Sequence, residues 1–458
     1  MLEYWKWISA AWDVWVAQQA GQEAIEKRQR ERLASLIEFA RAKSPYYREH
    51  YRHLPYSPRL EDLPIVRRQE LMARFDEWVT VPRITRKSID QFLAKPENVG
   101  EPFTERCAVW TSSGTTGEPG IYVHDEHSLA VYDALQMVRS AGSMEKSSGP
   151  PAPRLVRYAM LGATGGHFAG AATVERLRRL NPLLRQTVRM FSVLQPLPEL
   201  VKGLNEFQPA WIATYPTVLE LLAGEFKAGR LTVKPSMLWS GGETLTATVR
   251  EGIESAFGVR VVDDYASSEF MSIASACPEG WMHVNADWVI LEPVDHRHRP
   301  IPAGEPSESV LLTNLANRAQ PLIRYDLGDC ITMKPEPCAC GNILPAIRVG
   351  GRHDDVLTFA GVDGQQIRLL PLALSTIVEE ATGVHRFQLI QTSPKSLAVR
   401  LHLDRPSEHA AAGKKIQQCL TSWLRTQGVS GVSVTLDPAE PNFSGASGKF
   451  RQVIALAA

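Results

Sequence analysis

What this chain has little of is the first guide to it. Six cysteines in 458 residues are too sparse for the disulfide framework that small secreted domains rely on. Neither sign of charge dominates: Lys+Arg 50 stand against Asp+Glu 50, so the basic footprint of a nucleic-acid binder is missing. No apolar run approaches the ~20 residues that a membrane-spanning helix needs. Glu3, Lys6 and Asp13 interrupt the tryptophan-rich N-terminus, which does not fit a signal peptide. Internal repeats and low-complexity tracts are lacking too. What is left is the composition of an ordinary globular protein, 44% apolar and 22% charged. The expectation is a cytoplasmic protein of two or three domains, acting on small molecules rather than on nucleic acid or membrane.

The most informative stretch runs from Trp110 to Gly120, Trp-Thr-Ser-Ser-Gly-Thr-Thr-Gly-Glu-Pro-Gly. It lies between the apolar Ala108-Val109-Trp110 and the strand-like Ile121-Tyr122-Val123, so it reads as strand, glycine turn, strand. Glycines let backbone N–H groups approach an anion, and hydroxyls add donors without bulk. That suits a loop wrapped around a polyphosphate, with Ser112, Ser113, Gly114, Thr115, Thr116 and Gly117 as its donors. It is not a Walker A loop, because no lysine follows Gly117. The plain alternative is a hairpin turn.

Along the chain, Trp5, Ile8, Trp12 and Trp15 follow three-and-four spacing, which predicts an amphipathic helix whose aromatic face packs on the body or on a second subunit, as a homodimer. A charged helix is expected over about 23–42, ending before Ser44-Pro45. Between 155 and 262, strands and helices alternate: strands at 155–161, 186–192, 211–213, 237–240 and 259–262, helices at 198–207, 216–228 and 246–257. Such a rhythm predicts a mostly parallel sheet covered by helices. From Val289 the texture turns to β, with strands at 289–293, 309–314, 323–325 and 331–334. A compact α+β unit is expected at the C-terminus. Gly162–Gly170, a glycine-rich bend after a strand, is the kind of place where α/β sheets bind ligands.

The glycine loop resembles the phosphate-binding signature of the adenylate-forming superfamily, which includes acyl-CoA synthetases, peptide-synthetase adenylation domains and luciferases. Ser44-Pro-Tyr-Tyr-Arg-Glu49 and the later motifs look most like its phenylacetate–CoA ligase branch. The resemblance implies an α/β fold: an N-terminal adenylation domain over 1–353 and a small mobile C-terminal domain over 354–458. It implies that Gly241, Gly242 and Glu243 flank adenine, and that Asp264-Tyr-Ala-Ser-Ser-Glu269 continues the nucleotide site. There Tyr265 stacks on adenine beside Asp264, Ala266, Ser267 and Ser268, and Glu269 holds Mg²⁺. Ala266 stands where the family has glycine. Tyr325-Asp-Leu-Gly-Asp329 fits the family's Y-x-x-G-D, making Asp329 the acceptor for the ribose hydroxyls. Gly351-Arg-His-Asp354 fits G-R-x-D, so Arg352 would contact nucleotide and Asp354 would be the hinge. Ser447-Gly-Lys449 matches the catalytic lysine turn, with Phe443 in place of the family's proline. The acyl pocket implied by the resemblance is lined by Tyr158, His167, Phe168 and Tyr215. Taken singly, each cluster also reads blandly: a strand-to-helix turn, a surface linker, a satisfied histidine or a solvated lysine.

A further cluster is not required by the superfamily. Cys277, Cys330, Cys338 and Cys340 lie close in sequence to His283. Two soft ligand pairs suit a structural Zn²⁺, and Cys277, His283, Cys338 and Cys340 are the favoured set. Cys330 is the competing ligand, and unmetallated thiols are the alternative.

Together these expectations describe an acid–thiol ligase that uses ATP, Mg²⁺ and coenzyme A on an aryl or arylacetic acid. The neighbouring readings are delivery of the activated acid to an amine or carrier protein, or activation of another oxyacid. A non-catalytic nucleotide-binding regulator of the same fold would have lost Lys449 or Glu269; both are present.

Overall fold

A computed structural model describes residues 2–112, 120–140, 156–164, 166–352, 355–361, 365–369, 371–382, 384, 386–403, 409–442 and 450–456. Its centre is a nine-stranded sheet, whose order is 188–192, 158–162, 211–214, 237–241, 261–265, 274–276, 282–284, 346–352 and 329–333. The first five of these run parallel, and the last four continue antiparallel. The β-rich sequence after 289 is thus divided. Part of it joins the main sheet, while Val289–Val294, Ser309–Asn314 and Tyr325–Asp326 form a three-stranded sheet of their own.

The parallel half follows the predicted rhythm because each crossover is a helix with one apolar stripe. Leu200, Val201 and Leu204 of Leu197–Phe207, Leu219 and Leu222 of Pro216–Lys227, and Ile253 of Ala247–Phe257 cover the face presented by Ala159, Leu161, Ile212 and Leu238. On the opposite, partly exposed face, Tyr158 and Trp211 start their strands, and both rings meet Trp239 at about right angles. A separate apolar core made only of residues between 357 and 453 unites the four-stranded sheet of 387–393, 396–401, 433–436 and 453–454 with the helices Pro371–Thr382 and His409–Thr426.

The N-terminal helix forms where predicted, over Leu2–Gln19, but with the other side inward. Ala10, Val14 and Ala17 are buried, whereas Trp5, Trp12 and Trp15 are 65%, 64% and 48% exposed. The narrow Ala/Val stripe lets this helix lie close to the helix Glu126–Leu135, which a tryptophan face would hold apart. Charge then fixes it in place. Asp13 binds Arg28 and Arg32 of the helix Gln22–Lys43, and Arg32 lies 3.4 Å over the Trp288 ring. Asp287 takes Arg139 through both guanidinium nitrogens, at 2.7 and 3.0 Å.

That pair is enclosed, with side-chain exposure of 6% for Arg139 and 0% for Asp287. Removing one member leaves an uncompensated charge, which typically costs about 3–5 kcal/mol. Asp287→Ala should therefore lower stability by that order, read from the shift of the denaturant midpoint at unchanged slope.

Candidate active site

The parallel strands deliver their C-terminal ends to one edge, where Gly241, Asp264 and Tyr265 lie. Strand Met237–Gly241 runs straight into the turn at Gly242, whose φ of 79° is open to glycine at no steric cost. A side chain at Gly241 would put its Cβ 3.0 Å from the Asp264 carbonyl oxygen, so the two strand ends close up only because this residue has none. Glu243 follows, and its carboxylate accepts from the Thr217 hydroxyl at 2.8 Å and from the Phe450 amide at 2.7 Å. The second of these bonds attaches the C-terminal α+β unit to the site edge.

Asp264 and Tyr265 end the neighbouring strand. The Tyr265 hydroxyl donates to Asp329 Oδ2 at 2.6 Å, and both residues are 8% exposed. Two residues 64 positions apart, expected at adenine and ribose, are therefore in contact. Arg352 lies opposite Asp329 in the antiparallel register.

The segment Ser268-Glu269 is held from several directions. Trp110 Nε1 and His124 Nε2 both donate to the Ser268 carbonyl, at 2.9 and 3.0 Å. His124 Nδ1 then accepts from the Tyr132 hydroxyl, which accepts in turn from Asn314 Nδ2. Asn314 Nδ2 also donates to the Glu269 carbonyl at 2.9 Å. This relay requires a neutral His124, and burial pushes its pKa down to about 4 in spite of the Ser268 carbonyl. The Glu269 side chain, 8% exposed, accepts from the Tyr122 hydroxyl at 2.5 Å, and the Tyr122 and Tyr325 hydroxyls are 3.1 Å apart. Burial, with Glu269 next in weight, holds both phenols far above the ordinary tyrosine range, so both stay protonated. Sequence reasoning gave Tyr122, His124, Tyr132 and Asn314 no role. Only the apolar neighbours of Tyr122 and the polar residues within apolar strands hinted at them.

The neck of the glycine loop is closed by a reciprocal pair: Ser112 N–H donates to the Gly120 carbonyl at 2.9 Å, and Gly120 N–H to Ser112 Oγ at 2.8 Å. The strands Ala108–Thr111 and Ile121–His124 form the expected antiparallel hairpin around it. Ser113, Gly114, Thr115, Thr116, Gly117, Asp354 and Lys449, together with the Arg352 side chain, lie outside the described residues.

The pocket candidates separate. Tyr215 follows strand Trp211–Thr214 and bonds the Ala163 backbone, and burial pushes its phenol up to about 12. Tyr158 lies lower, in the aromatic group with Trp239. Phe168 stays partly exposed behind the bend. His167 is buried: its ring packs 5.4 Å from Phe92, and Nε2 donates to the Lys95 carbonyl at 3.2 Å.

Four soft side chains converge at the antiparallel half of the sheet. The ligand atoms of Cys277, His283, Cys338 and Cys340 all lie within 4.8 Å of one another. Cys277 Sγ is 3.8 Å from Cys338 Sγ, and His283 Nε2 is 3.1 Å from Cys340 Sγ. A tetrahedral zinc with Zn–S near 2.3 Å sets its sulfurs about 3.8 Å apart. His283 Nδ1 donates to the Leu344 carbonyl at 2.8 Å, which leaves the Nε2 lone pair toward the cluster. Cys330 is not in this group; its thiol donates to the Glu308 carbonyl.

One acid near the site is under strain from burial. Asp263 is pushed up to about 7, against the pull of Arg250 and Ser240. A carboxyl whose folded pKa lies above its unfolded value binds the proton more tightly when folded. Stability is then lost as pH rises from about 4 toward 7. Asp263→Asn should flatten that part of the stability–pH curve, and unfolding at pH 4.5 and 7.5 checks it.

The chain matches no family model. It is 27% identical over 382 residues to the phenylacetate–coenzyme A ligase of Thermus thermophilus, a match that covers 78% of this chain and 77% of that protein. The crystal structure of 2-hydroxyisobutyryl-CoA ligase in the postadenylation state, in complex with R3-HIB-AMP, overlays with a TM-score of 0.67 at 21% identity, covering 94% of this chain and 89% of that one. The same ligase with 2-HIB-AMP and CoA in the thioesterification state gives 0.55 at 22% identity, over 94% and 89%. These likenesses agree: the chain is similar to the phenylacetate–coenzyme A ligase of Thermus thermophilus over most of its length, and it has the fold of 2-hydroxyisobutyryl-CoA ligase.

Proposed function

We propose that this protein activates a carboxylic acid with ATP and passes the acyl group to coenzyme A. In the first step a carboxylate oxygen attacks the α-phosphorus, and pyrophosphate leaves from the opposite side. In the second, the CoA thiolate attacks the acyl carbonyl and AMP leaves. The observation that carries the reading is the Tyr265–Asp329 contact beside Glu269 and the loop neck. On this reading Tyr265 would stack on the base, Asp329 would accept from the ribose hydroxyls, and Glu269, four residues after Tyr265, would hold the metal.

Phosphoryl transfer needs positioning and charge stabilisation more than covalent help. Tyr265 and Asp329 orient the nucleoside, and the loop hydroxyls grip the phosphates. Glu269 would hold Mg²⁺, which neutralises phosphate charge; hard cations favour one or two carboxylates plus phosphate oxygens. Lys449 supplies the ammonium for charge developing at the α-phosphate. Phe450, its neighbour in sequence, bonds Glu243 at the site edge. The better overlay on the postadenylation structure than on the thioesterification one supports the same half of the cycle for this arrangement. A later swing of the C-terminal domain, 354–458, about Asp354 would withdraw Lys449 and admit CoA. The similarity to a phenylacetate–coenzyme A ligase supports an aryl or arylacetic acid as substrate. Cys277, His283, Cys338 and Cys340 would hold a structural zinc, clamping the antiparallel half of the sheet without taking part in acyl transfer.

Losing one preorganised charge typically costs about 10²–10³ in rate. Lys449→Ala should slow acyl-AMP formation by that factor yet convert supplied acyl-AMP and CoA to thioester at near wild-type rate. Equal damage to both half-reactions would overturn the assignment. Purified protein should carry one zinc per chain by elemental analysis, and Cys338→Ala should lose both the metal and thermal stability; metal-free protein with an unchanged melting temperature would refute the clamp.

A further inference from the structure

Tyr122 belongs to no motif of the nucleotide site. It sits in the short strand Ile121–His124, is 1% exposed, and its hydroxyl is spent wholly on other side chains. Two observations give that hydroxyl a particular place. It donates to Glu269 Oε1 at 2.5 Å, with the Tyr325 hydroxyl 3.1 Å away. It also lies directly beneath the loop neck, because a Cβ built on Gly120 would come within 2.7 Å of the Tyr122 oxygen. Gly120 is the residue that pairs with Ser112 to close the glycine loop. One phenol therefore touches both the base of the phosphate loop and the acid of the metal site.

The chemistry of the donor matters. A buried carboxylate needs hydrogen-bond partners, and arginine or lysine would be the strongest. Either would also neutralise the acid and repel a divalent cation. A phenol supplies the hydrogen bond and no positive charge. With Oε1 engaged, the side chain is fixed in rotation while its full negative charge remains for a cation, and a metal ligand held in advance loses less freedom on binding.

We propose that Tyr122 is a positioning residue for the divalent cation. It holds the Glu269 carboxylate in a single orientation relative to the phosphate loop. The inference rests on Glu269 being the Mg²⁺ carboxylate, as set out under the proposed function. The Tyr122 hydroxyl is engaged by Glu269 and Tyr325, so its effect should appear in metal dependence and not in nucleotide affinity as such.

The test is calorimetric binding of α,β-methylene-ATP to the full chain, first in EDTA and then at graded Mg²⁺. The Mg²⁺ midpoint does not depend on what fraction of the protein is folded, so partial misfolding of a variant leaves it readable. For Tyr122→Phe the midpoint should rise about tenfold, while affinity in EDTA stays within twofold of wild type. Glu269→Gln should raise the midpoint further. A midpoint within twofold of wild type for Tyr122→Phe, beside a raised one for Glu269→Gln, overturns the role of Tyr122 alone. Equal weakening with and without Mg²⁺ also overturns it, because the phenol would then be packing only. An unchanged midpoint in Glu269→Gln removes the metal role of Glu269, and this inference with it.

Discussion

A carboxylate enclosed by protein is the constraint around which the site edge is arranged. Glu269 is buried, and an ionised acid in such a place demands donors from its surroundings. Here they are phenols, and those phenols must themselves be buried and anchored. Tyr122 comes from the glycine-loop hairpin, and Tyr325 from the short strand that precedes Asp329, the first residue of the next strand. The backbone beside the acid is fixed by Trp110, by neutral His124 and by Asn314, which reaches it from the three-stranded sheet. Three pieces of chain far apart in sequence are thereby committed to one geometry. Networks of this kind reward completeness, since a half-satisfied one is worse than an apolar core.

The sequence carried the architecture better than it carried the contacts. Helical and strand periods placed Pro216–Lys227 and Ser309–Asn314 within a residue or so, because each has one buried face or is buried throughout. The strand expected at 259–262 begins later and runs on to Tyr265; its apolar run stops at Val262, while Asp263 and Asp264 stay in the ladder. Acids at the end of a strand are a site, not a core, and hydrophobicity does not see them. Ala274–Ala276, Met282–Val284 and Ala346–Arg352 went unforeseen because they are short or carry glycines. For the first helix, periodicity found the element, but the face packed on the body is the Ala/Val one and not the aromatic one, since tryptophan outweighs alanine on any hydrophobic count while alanine permits closer packing.

Motif order made the Tyr265–Asp329 contact legible in outline. Spacing could not choose among the cysteines, because coordination is a property of three-dimensional convergence. The fold brings Cys277, His283, Cys338 and Cys340 together and leaves Cys330 out; Ser275 pairs with His283, and His283 with Ala346, in adjacent strands. The metal-ligand candidates are thus set on a β scaffold and the turn that follows Cys338. Tyr122 was invisible for a related reason, its partner being 147 residues away.

The bond between the Phe450 amide and Glu243 has a kinetic side. Glu243 accepts from Thr217 as well, so in the proposed swing of the C-terminal domain it would keep a partner, and departure would strand no unpaired charge. A hydrogen bond to a charged group is worth about 1.5–3 kcal/mol, which biases a two-position equilibrium by roughly ten- to a hundredfold. Such a catch is firm enough to favour one seat and weak enough to be undone by thermal motion. If the proposed swing exchanges two arrangements within each turnover, a much stronger fastening would become the slowest step.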